Sequence, residues 1–447
     1  MTETTIGLAG MIILVSGLGI GFYCLKRYEA ALLLMMLSPW LATFFVPNSA
    51  SLEAHESLGS YLRLGLLILL GAVGLIHFVR ESARASFKAP LPFVLLGGFL
   101  ILAVFSTSYS IDPLYTSIRA GSFVVVTCFL FGLFSWLRDV ERVNSALNAF
   151  YLAVWLVTTL NLISLFLMPG QVWWWNAPHR FQGLAGHPNN LGSFFMISYP
   201  VLFWKYSDSD SIGGKAASLL LMGITMGLHL LTGSRASLLA SLFGVCLWLA
   251  VQRKGGKLVV CALVMATLLL AAIVTLGDSQ GMESFSRGRQ SSGMFDLTGR
   301  PEFWAASLVL INERPFRGYG YAVEGKIWSD RRFLHRELSL WSGSAKTSLH
   351  NGYLSTAVGL GWSGLLLWLS IVLAPLLSLW RGRYREYLPM ILMVMGMGLA
   401  VNFVESAVSG CRSATAITFW IMWTIATRLN CPGFGLGPGR SVRLVHS

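Results

Sequence analysis

Charge is the first thing this sequence lacks. Of its 447 residues 12% are charged and 55% are hydrophobic, with a mean hydropathy of +0.64, values that exclude an ordinary soluble globular domain. Acidic residues are the scarcer sign, 20 against 33 Lys and Arg. The excess of +13 does not call for a nucleic-acid partner, because the basic residues sit in short connections between apolar runs, where positive-inside topology collects them. Cysteine is sparse as well. Cys24, Cys128, Cys246, Cys261, Cys411 and Cys431 stand singly with no C-x-x-C spacing, which argues against a disulfide framework or a zinc finger. No H-E-x-x-H helix motif occurs, and the "DSD" stretch with Asp208 and Asp210 reads as a solvated turn, so neither a metal nor a cofactor is expected. The opening "MTETT" lacks a basic n-region, so the first apolar run is expected to stay in the membrane.

What the chain has is apolar runs almost from end to end. A window of about 20 residues, the length that crosses roughly 30 Å of hydrocarbon, finds about thirteen candidates. They begin with Gly7 to Leu25 and Ala30 to Val46 and end with Gly352 to Trp380, Tyr387 to Phe403 and Ala414 to Thr427. The expected fold is an all-α polytopic integral membrane protein of about twelve transmembrane helices. Residues 1–276 would hold the first ten or so helices, 277–349 a large loop subdomain on the non-cytoplasmic side, 350–429 the last helices and 430–447 a cytoplasmic tail. Lys26 and Arg27, Arg80 to Lys88, Arg138 and Arg142, Arg253 to Lys257 and Arg381 to Arg385 mark alternate connections as cytoplasmic. The loop at 277–349 carries 10 Lys or Arg and 8 Asp or Glu by direct count, the balance of a folded subdomain. Glu405, near a segment end, is the exception to apolar segments free of carboxylates, so a carboxylate proton relay is not expected.

The polar motifs collect on the non-cytoplasmic face. "HRFQGLAGHPNNLG", from His179 to Gly192, prepares a helix start at Pro188, and the preceding "WWWNAP" suits either an interfacial belt or a sugar-stacking platform. "LTGSRASLLA" places Arg235 beside Ser234 at a helix N-terminus, an anion site or an interfacial snorkelling arginine. In "DLTGRPEFWAASLVLINERP", Thr298 can cap, Pro301 suits the first turn and Pro315 stops the helix, with Arg300 at its start. "RPFRGYGYA", containing Tyr319, gives a glycine-rich turn that fits no P-loop. His350 then begins "HNGYLSTAVGLGWSG" on the same face as Arg180, Arg235 and Arg300. A positive helix end and guanidinium groups favour a neutral ring able to accept a proton; capping of the helix with Asn351 is the alternative role.

Four of these stretches, "RFQGLAGHPNNLG", "LTGSRASLLA", "LTGRPEFW" and "HNGYLSTAVGLGWSG", in this order and with one large outer loop, resemble the O-antigen ligase family, within the superfamily shared with O-antigen polymerases and bacterial O-oligosaccharyltransferases. The resemblance implies a GT-C-like, metal-independent, inverting glycosyltransferase of the bacterial inner membrane, acting at its periplasmic face without a cofactor. It implies undecaprenyl diphosphate-linked O-antigen as donor and lipid A-core oligosaccharide as acceptor, met among the membrane lipids. The family's essential histidine falls on His350 and its arginines on Arg235 and Arg300, with Arg180 a further basic position. His187, Asn190, Ser234, Asn351 and Tyr319 are expected beside them as candidate substrate-binding residues. The polymerase or protein-glycosylating branch, and less so a flippase of the lipid-linked glycan, are the alternatives.

Overall fold

Helix starts follow the local signals. Asp112 accepts the Tyr115 amide ahead of Pro113, Asp139 accepts that of Arg142, Ser211 that of Gly214 and Ser413 that of Ala416, satisfying donors that a helix start leaves open. The structure is a computed structural model that describes residues 16–17, 19–44, 58–83, 89–174, 177–252, 300–327, 349–379, 384–431 and 434. The expected helix at Leu258 to Leu276, most of Gly7 to Leu25 and both flanks of the large loop lie outside them.

The described chain is mostly helical. It comprises α1 (Tyr28–Phe44), α2 (Leu58–Ser82), α3 (Leu91–Phe105), α4 (Pro113–Trp136) and α5 (Val140–Leu167), then a hairpin of β1 (Trp173–Trp174) and β2 (Ala177–Phe181). After it come α6 (Pro188–Asp208), α7 (Ile212–Leu231), α8 (Arg235–Val251), α9 (Arg300–Glu313), α10 (Glu324–Ile327), α11 (Gly352–Leu379), α12 (Leu388–Val401) and α13 (Ala414–Leu429). The strands are antiparallel, Trp173 opposite Phe181 and Trp174 opposite Ala177, with a bulge between the two tryptophans. Six helices are long and apolar enough to cross a membrane, by length and composition, among the described residues: α2, the span from Leu91 to Ser108, α4, α5, α7 and most of α11. α1, α8, α9 and α12 are apolar but shorter.

α13 is buried on almost every side against α1, α4, α6 and α12, which explains a helix apolar all round. Long helices alternate between two ends of the bundle. One end is tied by Arg138 to Glu81, by Arg428 Nε to the Leu137 carbonyl at 2.6 Å and by Tyr387 to Asn144 at 2.9 Å. The starts of α6, α8 and α11 and the connections 106–112, 168–187 and 402–413 meet at the other.

α11 is broken at Gly361, whose φ of 72° and ψ of −175° are not helical. The glycine-rich turn after α9 fills the break: the Tyr319 amide donates to the Val358 carbonyl at 3.0 Å, Gly320 to Gly359 at 2.9 Å, and Trp362 to Pro315 at 2.7 Å. α9 is described from Arg300 and ends before Pro315, where its sequence predicts a stop, and Phe303, Leu310 and Ile311 pack with Val358 and Leu365 of α11. The described part of the large loop is thus joined to the bundle.

Candidate functional site

His350 stands one residue before the N-cap of α11, not in its first turn. Asn351 is the cap, its Oδ1 accepting the amides of Tyr353 and Leu354 at 3.0 Å each. His350 has φ 49°, a left-handed conformation that costs a non-glycine residue free energy and collects at functional sites. Its Nδ1 lies 2.8 Å from Oε2 of Glu405, with side-chain exposures of 37% and 14%. Glu405 follows the last turn of α12. Its proximity changes the expectation of a ring faced only by cations and of no carboxylate relay. The residues are 55 apart in sequence and meet because α11 and α12 run in opposite directions.

The other carboxylate oxygen, Oε1, accepts from Nδ2 of Asn189 at 2.7 Å, and Oδ1 of Asn189 accepts from the Arg180 guanidinium at 2.7 Å. Arg180, only 3% exposed, also donates through Nε to the Thr232 carbonyl at 2.9 Å, and its guanidinium lies 5.5 Å from the Trp174 ring centre. His350, Glu405, Asn189, Arg180 and Thr232 therefore form one continuous polar chain. The β hairpin presents Arg180, held by Gln182, which donates to the Gln171 and Trp173 carbonyls. Trp174 serves as a wall of this site, with the His187 ring 4.9 Å away.

Three helix starts face this chain. His187 caps α6, accepting the Asn189 amide at Nδ1 at 3.2 Å. Ser234 is the N-cap of α8 but its side chain makes no capping hydrogen bond, and Arg235 is the first helical residue, partly buried. Gly192 lets α6 approach the turn between α7 and α8: a Cβ there would lie 2.6 Å from Cβ of Ser234. Beneath, His229 bridges the Tyr199 hydroxyl at 3.0 Å and that of Ser237 at 2.7 Å, a packing histidine. Convergent helix N-termini and guanidinium groups suit an anion.

Of the residues singled out from sequence, His350, Asn351, Arg180, His187, Ser234 and Arg235 lie at this end. Asn190 is exposed, and its neighbour Asn189 carries the side-chain hydrogen bonds of the chain. Tyr319 is buried in the turn that fills the α11 break, its hydroxyl donating to Glu313 at 2.6 Å with the Arg314 guanidinium 4.4 Å from its ring centre. Burial and the Glu313 carboxylate raise its hydroxyl above the usual range, so it remains protonated. Arg300 opens α9, and its side chain lies outside the described residues. Glu405 and Asn189 were the residues missed. A carboxylate at the end of an apolar segment was their only sequence signal.

Residues 217–369 match the family model described as O-antigen ligase. Over that segment, about a third of the chain, it is similar to the O-antigen ligase domain, which supports a membrane enzyme of the O-antigen ligase and polymerase kind. The match takes in Arg235, Arg300, Tyr319, His350 and Asn351, while Arg180, Asn189 and Glu405 lie outside it. A search of curated proteins finds no match.

Proposed function

We propose that the chain is an O-antigen ligase of the bacterial inner membrane, moving a glycan from undecaprenyl diphosphate to a sugar hydroxyl of lipid A-core at the periplasmic face. The observation that carries the reading is the hydrogen-bonded contact of His350 with Glu405 at 2.8 Å, tied through Asn189 to a buried arginine. An ionised carboxylate only accepts hydrogen bonds, so Nδ1 of His350 donates to it and Nε2 is the atom that takes a proton. In the proposed reaction the acceptor hydroxyl gives its proton to Nε2 as its oxygen attacks the anomeric carbon. The bond from that carbon to the diphosphate oxygen breaks, and its electron pair leaves with the diphosphate. One displacement inverts the anomeric centre. Arg235 at the α8 N-terminus and Arg300 at the start of α9 stabilise the charge that develops on the leaving group, and Arg180 supports them. No metal is needed for this charge balance.

The test gives the purified protein undecaprenyl diphosphate glycan together with lipid A-core, a second glycan chain and a pilin-type protein. Modification of lipid A-core is the expected result. Exclusive extension of the glycan or modification of the protein would reassign the chain to the polymerase or the oligosaccharyltransferase branch, and no covalent product at all would remove the transferase reading.

A further inference from the structure

A second pair of arginines stands at the same end of the bundle and takes no part in the chain around His350. Arg63 lies near the start of α2 and Arg119 in the second turn of α4, two helices that pack along their length. Neither belongs to the basic connections at the opposite end. Arg63 donates to the Arg412 carbonyl, while its Nε is buried with no hydrogen-bond partner among the described residues. Arg119 donates to the Tyr115 hydroxyl and lies 4.5 Å from that ring centre. The two guanidinium groups are near enough to repel one another.

Among the described residues, the groups facing them do not balance that charge. Burial pushes the Cys411 thiol up to about 12 despite both arginines, so it is neutral. Asp112 is engaged by Lys326 at 3.7 Å. Glu324 of α10 is the remaining acid facing them among the described residues. Burial raises its carboxyl, with Arg119 and the Ser355 hydroxyl opposing, and its Oε2 is buried without a hydrogen-bond partner among the described residues. Two adjacent half-buried cations with an unfilled buried donor are costly unless an anion joins them. Beside them on the same helices, Tyr61, Leu64, Leu114 and Ile118 are 60%, 44%, 72% and 56% exposed. These are outward apolar side chains along which an acyl or prenyl chain can lie. Ser355 bonds both Glu324 and, at 3.1 Å, Ser406, the neighbour of Glu405. It stands in the first turn of α11, five residues after His350.

We propose that Arg63 and Arg119 bind a phosphate of a lipid-anchored substrate, at a second anion site separate from Arg180 and Arg235. The identity of the lipid rests on the transferase reading, which offers two sources of that chemistry: the prenyl diphosphate of the donor and the phosphate groups of the lipid A acceptor.

The test measures lipid binding, without turnover, by native mass spectrometry of the full chain in lipid nanodiscs. The probes are undecaprenyl diphosphate, phosphorylated lipid A and enzymatically dephosphorylated lipid A. Arg63→Gln and Arg119→Gln should each weaken one phosphorylated probe by about 10-fold or more, the scale of a lost charged hydrogen bond, and leave dephosphorylated lipid A unchanged. The probe that loses affinity names the source. Arg63→Lys and Arg119→Lys, which keep the charge and lose the fork, should lose less, and they carry the test if a glutamine variant does not fold. Unchanged binding of both phosphorylated probes in the variants, or equal loss of the dephosphorylated one, would overturn the site. Because no chemistry is read, a His350→Ala protein that binds normally but transfers nothing, or transfer that proves absent altogether, bears on the transferase reading and leaves this measurement standing.

Discussion

Replacing Glu405 by glutamine separates a positioned histidine from one that also needs its charge stabilised. At a heavy-atom separation of 2.8 Å the charge centres of an imidazolium and a carboxylate lie roughly 4 Å apart, worth about 4 kcal/mol at an effective dielectric constant near 20. His350 is more than a third exposed, and solvent screening reduces that to about 1.5–3 kcal/mol, the range of a hydrogen bond to a charged group. At about 1.4 kcal/mol per decade, turnover should fall roughly 10- to 100-fold. Glutamine adds a second fault. Asn189 Nδ2 and His350 Nδ1 both donate to Glu405, and an amide has one acceptor oxygen for two donors. If the amide nitrogen turns to the ring, it selects the tautomer protonated on Nε2, which cannot accept the acceptor's proton. Glu405→Gln should therefore be no better than Glu405→Ala in a single-turnover transfer assay, with donor binding and thermal unfolding near those of the parent. Full turnover by the glutamine variant would refute the reasoning.

His350→Ala should reduce turnover by about 10² or more, the usual contribution of a positioned acid or base, and His350→Gln should not rescue it; a fully active Gln variant would limit His350 to orienting the acceptor. Arg235→Ala and Arg300→Ala should nearly abolish transfer, lysine should restore only part of it because the planar fork is lost, and Arg180→Ala should be milder; three variants with normal turnover would take them out of the site. Gly361→Ala, whose Cβ would meet the Phe316 backbone at 2.5 Å and sit at φ 72°, should lower stability by about 1–2 kcal/mol or more, read as a fall in Tm.

The helical class, the stop of α9 and the gathering of His350, Arg180 and Arg235 at one end were legible because each rests on a local signal: apolar length, Pro315, or a polar motif between two runs. What was not legible rests on pairing across the bundle. Asn189 and Asn190 are indistinguishable in "PNN", and only the rotation of α6 decides which faces Glu405. Arg63 and Arg119 sit inside apolar segments far apart in sequence, and the packing of α2 on α4 makes them neighbours. The "GYG" turn fits no phosphate loop, and its backbone groups are used on the carbonyls that the break at Gly361 leaves open.

The left-handed backbone of His350 persists because both flanks are fixed independently of it. Leu349 is buried to 1% exposure and its carbonyl accepts from Trp304 of α9 at 3.2 Å. On the other side Asn351 caps α11, and the Gly352 amide donates to the Asn402 carbonyl at 2.8 Å. Asn402 and Glu405 belong to the same connection after α12, so the backbone that anchors the helix start also carries the carboxylate that orients the ring. A strained conformation costing about 1–3 kcal/mol is stable only where its surroundings over-determine it. Here they do so with α9 on one side and the α12 connection on the other. The ring is thereby held at the point where the large loop meets the bundle, with Nδ1 committed to Glu405 and Nε2 directed to its other side.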